Sequence, residues 1–178
     1  MTSESERDAP ADGRSHASDR TGVFVVDTGA ERDDAFSVRR SVFVDEQGVD
    51  EDIEYDEYDD PGADATHFVA YADGDAIGAA RLRTASGAAP ASGSDAPVVG
   101  KVERVAVAAD RRGEGWGRRL MAAVEARADE AGVGRLALHA QTRVRGFYER
   151  LGYEAHGDVF EEAGIPHVAM AKAIGDEG

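Results

Sequence analysis

The spacing of apolar residues changes repeatedly along the chain, from alternation to helical periodicity and back, and each change marks an element. "VFVVDTG", from Val23 to Gly29, reads as a short strand. In "ERDDAFSVRRSVFVDEQG", Phe36, Val38, Val42, Phe43 and Val44 fall close to helical spacing behind an acidic first turn. "THFVAYADGDAIGAARLRT" alternates on either side of Asp73-Gly74-Asp75, the pattern of a hairpin. "VVGKVERVAVAA" is β-branched and alternating, hence a further strand, and Leu120, Met121 and Val124 then form a helical stripe. "GRLALHAQ" predicts a strand, "TRVRGFYERLG" a short helix ended by Gly152, and "YEAHGDVFEEAGIPHVAMAKAI" two closing strands. The predicted order is β–α–β–β–β–α–β–α–β–β. It implies an α+β domain over residues 21–174, with one mixed, mostly antiparallel sheet of about six to seven strands flanked by helices.

Between these elements the pattern fails. Residues 1–20 are polar and aperiodic and predict a disordered acidic tail; 85–97 predict a flexible loop and 175–178 a second tail. "DEDIEYDEYDDPGAD" reads as an acidic loop.

Charge sharpens the picture. The 178 residues carry a formal net charge of −16, and Lys101 and Lys172 are the only lysines among the cations. Such a surface repels nucleic acid and anionic membranes, and it is what a salt-rich, halophilic cytoplasm would select. No apolar run approaches the length that spans a bilayer and no signal-peptide core is present, so a cytoplasmic protein is expected. With no cysteine, the chain offers neither a thiolate nucleophile nor a thiolate metal site. Its histidines and acids show no spacing that favours zinc, so no metal is expected.

Against that acidity, "AADRRGEGWGRRLMAAVEARA" stands out. A strand, a glycine-rich turn and a helix start form an anion site, because first-turn N–H groups lack partners and the helix dipole is positive there. Gly113, Gly115 and Gly117 would let the backbone approach a phosphate, and Arg111, Arg112, Arg118 and Arg119 would supply countercharge. The spacing is neither that of a Walker loop nor that of a dinucleotide fingerprint. The competing reading is a turn whose arginines solvate a helix end.

Arg112-x-x-Gly115-x-Gly117 resembles the acyl-CoA pyrophosphate loop of the GNAT N-acyltransferase superfamily, written [R/Q]-x-x-G-x-[G/A]. "ERVAV" before it resembles that family's fourth strand, and "FYERLGY" its fourth-helix signature. The resemblance covers about residues 22–174. "RRSVFVDEQGV", "EYDEYDD", "THFVA", "LHAQTRVRGFYERLGY" and "EEAGIPHVAM" are similar to its ElaA-like branch.

What the resemblance implies is direct acetyl transfer from acetyl-CoA, as co-substrate, to a primary amine on a small molecule or peptide. The cofactor-binding residues would be Val105, Ala106 and Val107 of the strand, then Arg111, Arg112, Gly113, Glu114, Gly115, Trp116, Gly117 and Arg118. Tyr148 matches the tyrosine that gives a proton to, or hydrogen-bonds, the departing thiolate. Glu103 matches a fourth-strand glutamate used as a base; the alternative is an ion pair with Arg81 or Arg104. By alternation Glu103 should share a face with Val105 and Val107. Glu46, Gln47, Glu54, Asp56, His67, Gln141 and His167 match ElaA-like positions on the acceptor side, whereas His139 departs from that pattern. A non-catalytic acyl-CoA sensor on the same fold is the alternative function. The resemblance allows a homodimer without requiring one.

Overall fold

A computed structural model describes residues 20–84 and 97–175. The expected tails lie outside these residues except at their inner ends, as does the expected loop except for Pro97. The strands are β1 (Gly22–Val25), β2 (Thr66–Ala72), β3 (Asp75–Thr84), β4 (Val99–Val107), β5 (Arg135–Gln141), β6 (Glu154–Glu162) and β7 (Ile165–Ala173). The helices are α1 (Gly29–Arg39), α2 (Glu51–Glu54), α3 (Trp116–Glu130) and α4 (Arg145–Arg150), and a π-helical segment, Arg40–Glu46, continues α1. Among the described residues no helix is long and apolar enough to cross a membrane.

The strands form one seven-stranded sheet in the order β1-β2-β3-β4-β5-β7-β6. Every neighbouring pair is antiparallel except β4 and β5. The expected α+β class and strand count are therefore found. One face buries α3, with Leu120, Met121 and Val124 against Phe68, Leu82, Val102 and Leu136. The other buries α1 and the π-helical segment, with Ala35, Val38 and Val42 against Val69, Tyr71 and Ala79. Thr28 starts α1 through a reciprocal capping box with Glu31. Asp73 and Gly74, at φ 49° and 84°, make the tight turn between β2 and β3.

Two departures from the predicted pattern shape the site. The parallel pairing of β4 with β5 runs only from Val99↔Arg135 to Val102↔Leu138, although both strands continue. Beyond it the strands part, which leaves one edge of β4 without a sheet partner. The second departure is a bulge. Glu103 pairs with Arg81 and Ala106 with Ala79, so Arg104 and Val105 together face one residue of β3, and Arg104 takes φ 56°. The extra residue inverts the alternation. Val105 and Val107 pack with the α3-side core, while Ala106 lies in the α1-side cluster and Glu103 stays with Arg81 on that side. The expectation that Glu103 shares a face with Val105 and Val107 is thus overturned.

The predicted acidic loop is also corrected, since it holds α2 and a 3-10 turn, Glu57–Asp59. Asp50 accepts from the Asp52 amide and Asp56 from the Tyr58 amide, and Asp56 and Asp59 form a capping box. Its acids are helix caps as well as surface charge.

Candidate active site

The glycine stretch folds as a strand-to-helix turn. After β4 comes a 3-10 turn, Ala109–Arg111, and then Gly115 in the N-cap position of α3. Among the described residues no side chain caps α3, and its first backbone bond within this turn runs from the Arg119 amide to the Gly115 carbonyl. The amides of Trp116, Gly117 and Arg118 are those a bound anion would satisfy.

The glycines divide the work. Gly113 and Gly115 hold φ 82° and 90°, a conformation that costs other residues roughly 1–2 kcal/mol. A Cβ at either would meet nothing within 4 Å. Gly117 has a different reason, since a Cβ there would lie 3.1 Å from Cζ of Phe147. It lets α3 pack against α4. The arginines divide too. Arg111 and Arg118 line the cleft, but Arg119 lies 4.3 Å over the Trp116 ring and is not part of the wall. Arg112 lines the cleft while its guanidinium holds both carboxylate oxygens of Glu46, at 2.5 and 2.8 Å. It ties the loop to the end of the π-helical segment.

Where β4 and β5 part, a cavity of about 930 Å³ opens below this turn. Val105, Ala106 and Val107 line it, as do Gly113, Gly115, Trp116 and Gly117; Glu46 and Glu114 do not. Tyr148, 7% exposed, forms part of the floor, with its ring edge-to-face against Phe147 and Tyr153 at 4.9 and 5.8 Å. Its hydroxyl makes no hydrogen bond among the described residues, and burial pushes its pKa well above the ordinary phenol value. The phenol stays protonated at neutral pH and is free to donate.

The opposite wall is a buried charge lattice. Arg39, on the apolar stripe of α1, gives Nε to Glu54 Oε1 at 2.7 Å and both terminal nitrogens to Asp59 at 2.7 and 2.9 Å. Arg81 binds Asp56, Asp59 and Glu103, with Nη2 to Glu103 Oε2 at 2.5 Å. Arg83 holds the other oxygen of Glu103 at 2.7 Å, and Lys101 stands 3.4 Å away. These cations overcome burial and hold Glu103 down at about 2. Asp59 is held at about 2 likewise, by Arg39 and Arg81. Arg104 crosses to α2, donating to the carbonyls of Ile53 and Glu54. Glu54 is fully buried, and among the described residues its Oε2 has no hydrogen-bond donor. Burial outweighs Arg39 and raises its pKa.

The remaining predicted residues scatter. Gln47 and Gln141 meet on the wall, amide to amide, at 2.8 Å. His167 lines the cleft with Nδ1 2.6 Å from the Ile165 carbonyl. His139, which the ElaA-like pattern passes over, also lines it, 3.2 Å from Glu162 and edge-on to Phe160. His67 does not line the cleft; it packs beneath Phe36, 3.3 Å from the Tyr58 carbonyl, and burial lowers its pKa. Arg39, Arg83 and Asp59 are not among the residues that the sequence motifs single out. For Arg39 a signal existed, because an arginine at helical spacing from Ala35 and Val42 falls on the buried stripe.

Comparison with known proteins bears on the family and the fold. A Bacillus subtilis protein named, provisionally, as an acetyltransferase is 37% identical over 138 residues, which cover 78% of this chain and 86% of that one. The crystal structure of an acyl-CoA N-acyltransferase from Pseudomonas aeruginosa superposes with a TM-score of 0.70 at 26% identity, covering 86% of this chain and all of that one. Escherichia coli ElaA shares the fold, with a TM-score of 0.70 at 24% identity over 86% of this chain and 99% of its own. The acetyltransferase (GNAT) domain family matches residues 31–174, and the chain belongs to that family.

Proposed function

We propose that the protein transfers the acetyl group of acetyl-CoA directly to a primary amine. One observation carries the reading. The start of α3 and the buried phenol of Tyr148, neither with a side-chain hydrogen-bond partner among the described residues, line one cavity, which opens where β4 loses its neighbour. The amides from Trp116 to Arg118, with Arg111 and Arg118, would hold a diphosphate. The free edge of β4 at Val105 and Val107 fits the amide-bearing pantetheine arm, which would pair with it as a strand pairs with a sheet edge. The thioester supplies an activated acyl carbon and a thiolate leaving group. Tyr148 donates its proton to that departing sulfur.

Glu103 is a poor base in this arrangement. A carboxylate titrating at about 2 holds protons too weakly to take one from an ammonium, and its oxygens are occupied by Arg81 and Arg83. We assign it to holding those arginines beneath the bulge, close to the alternative that paired it with Arg81.

The test is thiol release from acetyl-CoA with n-butylamine, tryptamine, spermidine and a lysine-containing peptide, beside calorimetric titration of CoA. Turnover with any of the four supports the enzyme. CoA binding without turnover supports an acyl-CoA sensor, and absence of CoA binding removes the assignment. Gly115→Glu should lower CoA affinity by a factor of about 100 or more, because it puts bulk and negative charge at the diphosphate.

A further inference from the structure

Glu54 stands apart from every other acid of the cleft. Its charged neighbours are Arg39 of α1, Arg104 of β4 and Asp59 of the 3-10 turn, with the Tyr55 phenol beside it. Yet the cations are spent elsewhere. Both terminal nitrogens of Arg39 go to Asp59, one of them also reaching the Glu54 carbonyl, and the Arg104 guanidinium goes to backbone carbonyls. Only Oε1 is held, by Arg39 Nε at 2.7 Å and by Arg104 Nε at 3.4 Å. Oε2 is buried with no donor among the described residues, in a residue that is part of the cleft wall. Leaving such an oxygen unpaired is costly, the more so when it is charged, and a ligand that brings a donor relieves the cost. A cationic donor relieves it best.

We propose that Glu54 binds the ammonium group of the acceptor through Oε2 and takes a proton from it, serving as the proton acceptor of the site. This deepens, and rests on, the acetyl-transfer reading above. An N–H bond of the ammonium breaks and its proton passes to Oε2, which leaves a neutral amine with a lone pair. The new C–N bond forms as the thioester C–S bond breaks. The amine's second proton reaches the departing sulfur by way of the Tyr148 hydroxyl, and Glu54 returns its own proton to solvent. The raised pKa suits this task, since a carboxylate that binds protons more tightly is the better acceptor. Glu103 fails on the same criterion.

The experiment follows the side-chain carboxyl carbon of Glu54 by NMR, in full-length protein with 13C-labelled glutamate and CoA bound. Glu54→Gln identifies the signal. It should titrate above the ordinary glutamate range and shift when at least one of the four amines is added, while the Glu103 signal does not move. In the thiol-release assay Glu54→Gln should lose about 100-fold or more in kcat/KM and lose the acid limb of the pH profile, with unchanged CoA affinity. Glu54→Asp should recover part of the rate. If no amine moves the Glu54 signal, or Glu54→Gln keeps its rate and acid limb, the proposal is overturned. Failure of the wild-type protein to bind CoA would instead sink the acetyl-transfer reading.

Discussion

Glu54 and Glu103 sit in walls of the same cleft, both largely withdrawn from water, yet burial leaves them in opposite states. Glu103 meets Arg81, Arg83 and Lys101, and each of its oxygens has a charged donor. Glu54 shares Arg39 with Asp59 and keeps one oxygen without a donor. The first is driven down to about 2 and the second is raised. Burial penalises the charge in both, so the sign is set by how many donors each oxygen receives. Supply of arginine, more than depth, divides structural acids from reactive ones here.

The contrast predicts opposite responses to the same chemical change. Glu103→Gln strips charge from a lattice that holds β3 to β4, and it should cost roughly 2–3 kcal/mol of stability. A urea midpoint at neutral pH measures it. A loss within error would mean that solvent already screens these pairs, and the contrast would lose its structural half.

The same lattice should make the fold acid-sensitive in a defined window. Glu103 and Asp59 both have folded values near 2, against ordinary values of 4.5 and 3.8. Between those limits the unfolded chain binds more protons, so stability is full above about pH 5 and falls as pH drops toward about 2. Urea midpoints taken down that range should decline, and Glu103→Gln should flatten the decline. An equal slope in the two proteins would place the acid sensitivity in other carboxylates.

How much of this was legible in the sequence depends on which physical signal each feature left. The strands, the hairpin at Asp73-Gly74 and the strand-to-helix turn at Gly115 announce themselves through period and glycine. The bulge does not, because Arg104 adopts φ 56° with no glycine to mark it, and one unmarked residue was enough to put Glu103 on the wrong face. The acids of residues 50–64 read as an acidic loop because a capping aspartate and a surface aspartate are the same letter. Partner choice was only half readable. Arg81 was a named candidate for Glu103, whereas Arg83 became visible only once β3 and β4 were in register. His67 illustrates the limit of motif matching, since it holds its expected position in the chain and yet lies outside the cleft wall.

The smallest expected effect is the most discriminating. Glu54 binds its proton more tightly in the folded protein than in the unfolded chain. Its contribution to stability is therefore present below 4.5 and lost as pH rises through its raised folded value. At neutral pH the buried carboxylate is carried at a cost, and Glu54→Gln removes that cost while its amide oxygen can still accept from Arg39. The variant should be as stable as the parent, or more stable by up to about 1 kcal/mol, although it loses activity. The melting temperature at neutral pH decides the matter. A drop as large as that of Glu103→Gln would show Glu54 to be one more member of the lattice, and the division between the two acids would disappear.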